Sequence, residues 1–299
     1  PDSACRQELA FELGRLYDGT GESAAAFRWL STGNQLARLQ WLNGHTEQST
    51  QPATMEWLQP RFAAQQVQTW PESLPADGWT DPIFVIGFPR SGTTLLEQVL
   101  DAHPGLQALD EKPAVERLRL AVAALPGGYP QALGMLSQEQ LHELRARYFE
   151  AVAQHLELRP GARLVDKYPL NIVRLGLIQR VFPKAKFILA LRHPCDVCFS
   201  CFMQNFKLND GRVGFHSLDS TADIYDRVMR LWTRELPIFR PDVLTVRYED
   251  MVEDFRSEVE RLIRFLELPW TDSVLDYAKH AQSSGKINTP SYHQVVRPN

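Results

Sequence analysis

The chain has 299 residues, enough for one large domain or two smaller ones around a sizeable core. At 44% hydrophobic and 23% charged it reads as an ordinary globular protein, which excludes disordered and collagen-like classes. A net charge of −4 gives no global basic field for nucleic acid, so any anion site must be local.

In chain order, residues 7–38 are alanine-rich and helix-periodic, with a break at 19–21. Leu13-Gly14, Tyr17, Ala26 and Leu30 stand where a tetratricopeptide repeat wants its packing residues, and a generic helical hairpin accounts for them nearly as well. About three such repeats are needed to stand alone, so the segment either packs on the domain after it or ends a longer array. A second helical stretch is expected over 54–69, and the Pro-rich residues 70–82 form a joint. The expected division is therefore a helical segment and linker at 1–80 and a second domain at 81–299. Residue 1 is not Met, consistent with a missing upstream segment. No basic stretch followed by an apolar one marks a signal peptide, and no apolar run approaches the ~20 residues of a membrane span.

Residues 81–103, DPIFVIGFPRSGTTLLEQVLDAH, predict a buried strand at 83–87, a tight Gly/Pro loop, and a helix with Leu95, Leu96, Val99 and Leu100 on one face. Gly87 and Gly92 are spaced as in a phosphate-binding loop, and a helix start adds amide donors and partial positive charge: an anion cradle. The slot for a triphosphatase lysine holds Thr93, followed by Thr94, and the loop's cation is Arg90. Such a loop grips phosphate with amides, hydroxyls and one guanidinium, without an obvious metal seat. A donor with a single 5′-phosphate carrying a second acidic group suits it; a structural glycine turn is the plain alternative.

A short strand is expected at 106–109, ending at Asp110-Glu111, with a helix opening at Pro113 and a loop at 125–130. Residues 137–158 predict a long helix with the capping box Ser137-x-x-Gln140 and apolar Leu141, Leu144, Tyr148 and Val152. A strand at 163–167 leads through YPLN to a helix at about 171–182, and 186–192 is a second clear buried strand. Pro194 suits the first position of the next helix. On that helix Cys195, Cys198 and Cys201 have metal-ligand spacing. With no fourth Cys or paired His near them, small apolar residues along a helical stripe is the favoured reading. Four cysteines make no disulfide framework and point to a reducing, cytoplasmic compartment. An amphipathic helix carrying Ile224, Tyr225, Val228, Leu231 and Trp232 precedes a strand at 243–248. A last helix carries Phe255, Val259, Leu262, Ile263 and Leu266.

Strands alternating with helices predict a mostly parallel α/β sheet, whose ligands bind beyond the carboxyl ends of the strands. Arg90, Glu111, Lys167, Arg192 and Tyr248 end these strands and are expected to meet there. Each has a plain reading: Glu111 with Asp110 at a helix start, Lys167 a surface cation, Arg192 an ion bridge with Asp196, Tyr248 core. Ser200, on the next helix, could be an ordinary helix residue.

FVIGFPRSGTTLLEQVLDAHP followed by KFILALRHPCDVCFSCF resembles the sulfotransferase family, most closely its tyrosylprotein-sulfotransferase-like branch, which includes bacterial members with tetratricopeptide repeats. The resemblance covers 81–299. It implies a P-loop-type, mostly parallel sheet flanked by helices, preceded by a small all-α segment. The implied activity is metal-independent, in-line transfer of a sulfuryl group from 3′-phosphoadenosine 5′-phosphosulfate (PAPS) to a hydroxyl, leaving the bisphosphate PAP. By position it implies that Arg90, Ser91, Gly92, Thr93 and Thr94 hold the 5′-phosphosulfate, that Arg192 and Ser200 hold the 3′-phosphate, and that Tyr248 meets the adenine. It further implies Glu111 as base, Arg90 and Lys167 as cations at the reacting group, and Ser291 near the donor sulfate. Such transfer needs positioning and stabilisation of charge spread over equatorial oxygens, which these residue types supply.

The chain departs from the branch at several points. Lys112-Pro113 follow Glu111 where the branch has Thr and Arg, and Gln204 stands where a basic residue is expected. The family chain runs past QVVRP to a further basic residue and Trp, so part of a cofactor lid is expected beyond Asn299. The eukaryotic members' Golgi anchor has no counterpart here. The acceptor stays open among tyrosine, other phenols, sugars and lipids. A P-loop kinase or hydrolase, or a non-catalytic tetratricopeptide scaffold, are the alternatives. The helical N-terminal segment could serve a homodimer or a protein partner.

Overall fold

A computed structural model describes residues 3–46, 55, 62–68, 70, 77–206 and 213–284. It divides into two compact units, Pro1–Pro60 with His193–Leu231, and Arg61–Arg192 with Trp232–Asn299. The helical N-terminal segment thus groups with residues 193–231.

In the first unit α1 (Ser3–Gly19) and α2 (Ser23–Leu42) pack as a hairpin around the turn at Gly21, whose φ is 78°. Close approach depends on glycine at two points: a Cβ on Gly14 would sit 2.6 Å from Leu30 Cγ, and one on Gly33 2.8 Å from Phe11 Cδ2. Asn34 Nδ2 donates to the carbonyls of Leu30 (3.0 Å) and Phe202 (2.8 Å), and Phe27 stacks on Phe202. A helical hairpin is what the described residues show; of the stretch expected over 54–69, only α3 (Ala64–Val67), in the second unit, is a described helix.

The second unit is built on five parallel strands: β1 (Ile83–Gly87), β2 (Leu106–Asp110), β3 (Arg163–Lys167), β4 (Lys186–Leu191) and β5 (Asp242–Arg247), in the order β2-β3-β1-β4-β5. The register sets Asp110 opposite Lys167, Val85 opposite Lys167, Gly87 opposite Ala190 and Leu191 opposite Arg247. Alternate residues face opposite layers. Ile83, Val85, Ile188 and Val246 pack with α4 (Thr93–Asp101) and with the later helix carrying Val259, Leu262 and Ile263. On the other face Phe84 packs against Tyr148, Phe182 and Phe187. Cover on both faces explains why β1 is a continuous buried apolar run.

The remaining helices are α5 (Ala114–Ala123), α6 (Gln138–Ala153), α7 (Leu175–Val181), α8 (Pro194–Phe202), α9 (Leu218–Phe239), α10 (Tyr248–Glu253), α11 (Phe255–Phe265) and α12 (Tyr277–Ser284). The capping box at Ser137 is formed, and Pro194 opens α8. Several boundaries differ from expectation, and α12 follows the helix expected as the last, α11. The helix from Ser137 stops at Ala153 instead of 158. The stretch expected as one helix at 171–182 begins as a 3-10 turn, Pro169–Arg174. Tyr248 opens α10 instead of closing β5. On α8, Cys198 and Cys201 are buried and Cys195 is exposed. Among the described residues no helix is long and apolar enough to cross a membrane.

Candidate active site

The loop after β1 is shaped by backbone that few side chains adopt. Gly87 has φ 155°, and a Cβ there would meet Ala190 O at 2.7 Å and Ser91 Oγ at 2.8 Å. Arg90 (φ 74°) and Gly92 (φ 99°) are both left-handed. They bracket Ser91, whose amide donates to Phe88 O at 3.2 Å. Ser91 is buried, and its Oγ is without a hydrogen-bond partner among the described residues. Gly92 is the N-cap of α4 and lacks a side-chain cap; Thr93 and Thr94 occupy the buried first turn. A helix start of this kind presents amide donors and the positive end of the helix dipole.

On one side of this loop, the ends of β2 and β3 build a charged cluster. Lys167, fully buried, reaches Glu97 Oε2 of α4 and Glu111 Oε1, each at 3.1 Å, and hydrogen-bonds Asp110. The Glu111 amide donates to Lys167 O at 2.9 Å, and Glu111 itself is left-handed at φ 44°. Burial alone would pull the Lys167 ammonium down, but Glu97, Glu111 and Asp110 overcome it and hold the group above its ordinary range. Burial pushes the Glu97 carboxyl up to about 7 against the pull of Lys167. Three carboxylates around one ammonium in low dielectric cannot all be charged cheaply. The most enclosed of them is Glu97, at 5% exposure against 21% for Asp110 and 26% for Glu111, and its carboxyl is the one that burial raises. Solvent therefore reaches the cluster at Glu111 and Asp110.

On the other side, the Arg192 guanidinium lies 4.7 Å from the centre of the Tyr248 ring. The same ring abuts Gly92, where a Cβ would come within 2.9 Å of Tyr248 Cδ2. The second unit thus sets Arg90, Ser91, Gly92, Thr93, Thr94, Glu111, Lys167, Arg192 and Tyr248 along the carboxyl edge of the sheet. Ser200 lies half-buried on α8 of the first unit, and Ser291 lies outside the described residues. β1 leaves toward β2 on one side and β4 toward β5 on the other, which makes the β1–β4 gap a topological switch point.

Sequence reasoning missed Glu97 and treated Asp110 only as decoration of a helix start. The signal for Glu97 was an acid next to Leu96 inside the apolar face of the loop helix. It also missed Asp166, fully buried on the opposite face of β3. Asp166 accepts from the Tyr148 hydroxyl at 2.7 Å, and burial pushes its carboxyl up to about 7.

A family model described as the sulfotransferase family matches residues 82–272. Similar curated proteins include an uncharacterized protein of Aquifex aeolicus, 33% identical over 225 residues that cover 72% of this chain and 28% of that one. Protein-tyrosine sulfotransferase 1 of Danio rerio is 28% identical over 241 residues, covering 72% of this chain and 62% of that protein. Among solved structures, a sulfotransferase domain from the curacin biosynthetic pathway aligns at 20% identity and a TM-score of 0.46, over 67% of this chain and 78% of that one. The chain spans less than two thirds of the length of either curated relative.

Proposed function

Because its residues 82–272 match the family model, the chain belongs to the sulfotransferase family, and from that premise we propose that it transfers a sulfuryl group from PAPS to an acceptor hydroxyl. One observation carries the reading. The loop after β1, the Lys167 cluster and the Arg192–Tyr248 pair line a single edge of one parallel sheet, the edge at which such sheets bind ligands.

In this reading Arg90, Ser91, Gly92, Thr93 and Thr94 grip the 5′-phosphosulfate. The fit is chemical: Ser91 brings a buried hydroxyl without a hydrogen-bond partner among the described residues, and Gly92, lacking a Cβ, lets the Tyr248 ring close on the helix start. Tyr248 contacts the adenine, and Arg192, with Ser200, holds the 3′-phosphate. Lys167 and Arg90 offset the charge that develops on the sulfuryl and leaving-phosphate oxygens. Glu111, the most exposed acid of the Lys167 cluster, takes the acceptor's proton. Ser291 completes the donor side by family position. The displacement is in line and metal-independent, as the family resemblance implies. One relative is a protein-tyrosine sulfotransferase, so tyrosine or another phenol is the acceptor to try ahead of sugars and lipids. The same proposal takes 1–80 as a tetratricopeptide-like segment ahead of a transferase domain at 81–299. It also includes a cytoplasmic location and a homodimer or protein partner held through α1 and α2.

Calorimetry with PAP and with ATP plus magnesium tests the donor half. PAP is expected to bind at least ~10-fold more tightly, equivalent to about 1.4 kcal/mol; the reverse order would favour a kinase or hydrolase. Sulfur-labelled PAPS with tyrosine peptides, phenols, sugars and lipids tests the acceptor half.

A further inference from the structure

We propose that Glu97 is a positioning residue of the transfer site: its buried carboxyl, on the helix that leaves the loop, fixes where the Lys167 ammonium sits beside Glu111. This rests on the roles proposed for Lys167 and Glu111.

Glu97 is 4% exposed on a helix whose other buried members include Leu96, Val99 and Leu100. Placing an acid there is costly unless it is partnered. Its partner is Lys167 Nζ, 3.1 Å from Oε2, yet that oxygen has no aligned hydrogen bond among the described residues. The directional bonds of Lys167 run instead to Asp110 and to Glu111 Oε1. Glu97 therefore acts on the ammonium electrostatically. Neutral, its carboxyl still holds a polar oxygen beside Nζ, which keeps the ammonium in place for Asp110, Glu111 and the reacting group. Ionised, it adds a third pull, toward α4.

Among the described residues the groups facing Glu97 are few. Lys167 comes from β3, Asp110 and Glu111 from the end of β2, and Asp101 from its own helix; β1 offers no titratable side chain. His280 of α12 is taken by Asp101 at 2.8 Å. Asp272 and Asp276, on the 3-10 turn that also packs there, bond Trp270 and Lys279. Burial, with Asp110 and Asp101 adding to it and Lys167 opposing, brings the carboxyl to about 7.

Two measurements test the role. In ligand-free protein labelled with carboxyl-13C glutamate, the NMR titration of wild type minus Glu97→Gln isolates this group. A midpoint near 7 is expected, and one below ~5, the ordinary glutamate range, overturns the proposal. In transfer assays Glu97→Gln, a permanent copy of the neutral form, is expected to keep kcat within about threefold at low pH. It should also lose the decline in kcat that is expected of wild type as pH rises through neutrality. Glu97→Met should lower kcat by ~10-fold or more at unchanged donor KM, because Lys167 loses its anchor. A Glu97→Gln profile superimposable on wild type, or full kcat in a folded Glu97→Met, overturns the proposal. If Glu97→Met does not fold, the Gln profile and the titration decide. Failure of wild type to bind PAP would sink the proposed function, while the titration would still rule on Glu97.

Discussion

Among the described residues four non-glycine positions have left-handed φ, and two of them, Arg90 and Glu111, stand at strand ends on the candidate site. Such a conformation costs on the order of 1–3 kcal/mol and persists where the surroundings over-determine it. At Glu111 the surroundings are the hydrogen bond that its backbone N–H donates to Lys167 O and the carboxylate contact with Lys167 Nζ. Glu111→Gln keeps the shape and removes the base. Turnover is expected to fall ~10²–10⁴-fold, with PAP affinity by calorimetry unchanged; an equal loss of PAP affinity would contradict the assignment. Gly92→Ala tests the other end of the site. It places a Cβ at φ 99° and 2.9 Å from the Tyr248 ring, so the ring must move. PAP affinity is expected to drop about 10-fold or more while turnover at saturating donor changes less. Glu111 and Lys167 were legible in sequence because polar residues ending buried strands stand out. Glu97 was not, since a single acid on an apolar helix face declares itself only when its partner from another strand is in view.

Elements were legible wherever local chemistry decides them. The capping box at Ser137 and Pro194 at the head of α8 are satisfied within a few residues of chain. Boundaries that depend on the neighbouring element were not. The helix from Gln138 gives out at Ala153, ahead of a turn at Gly161 with φ 78°, and Tyr248 is drawn into α10. Periodicity also hid a buried charge. Arg145 lies on the same face of α6 as Leu141, Leu144, Tyr148 and Val152. Its guanidinium pairs Asp77 (2.5 Å) and Asp81 (2.6 Å) and donates to the carbonyls of Trp79 and Val181. This arm ties α6 to the chain entering β1 and to α7. Arg145→Met would remove the guanidinium that pairs both Asp77 and Asp81. The expected loss, read from urea unfolding, is about 3–5 kcal/mol; a loss under ~1 kcal/mol would mean that water replaces the guanidinium.

For the whole molecule, alternating strands and helices were enough to read a parallel sheet, but the order β2-β3-β1-β4-β5 was not readable, because which strands pair is decided by packing across distant segments. The grouping of residues 193–231 with the N-terminal helices escaped for the same reason. Long-range packing also sets how stability responds to pH. Asp166 and Glu97, from opposite faces of the sheet, are each pushed by burial from the ordinary carboxylate range to about 7. Between about 4 and 7 the folded chain therefore holds protons at these positions that the unfolded chain has released. Stability from these two groups is fully present below their unfolded pKa values and is lost as pH rises through 7. This trend opposes ordinary acid denaturation, so a single-site comparison isolates it. Asp166→Asn removes one titration and keeps an acceptor for the Tyr148 hydroxyl. The urea midpoint of wild type is expected to fall relative to Asp166→Asn between about pH 5 and 8, by the equivalent of ~1 kcal/mol or more. Parallel curves would mean that Asp166 is ionised throughout, with its charge balanced by the neighbouring Lys167 and Arg174.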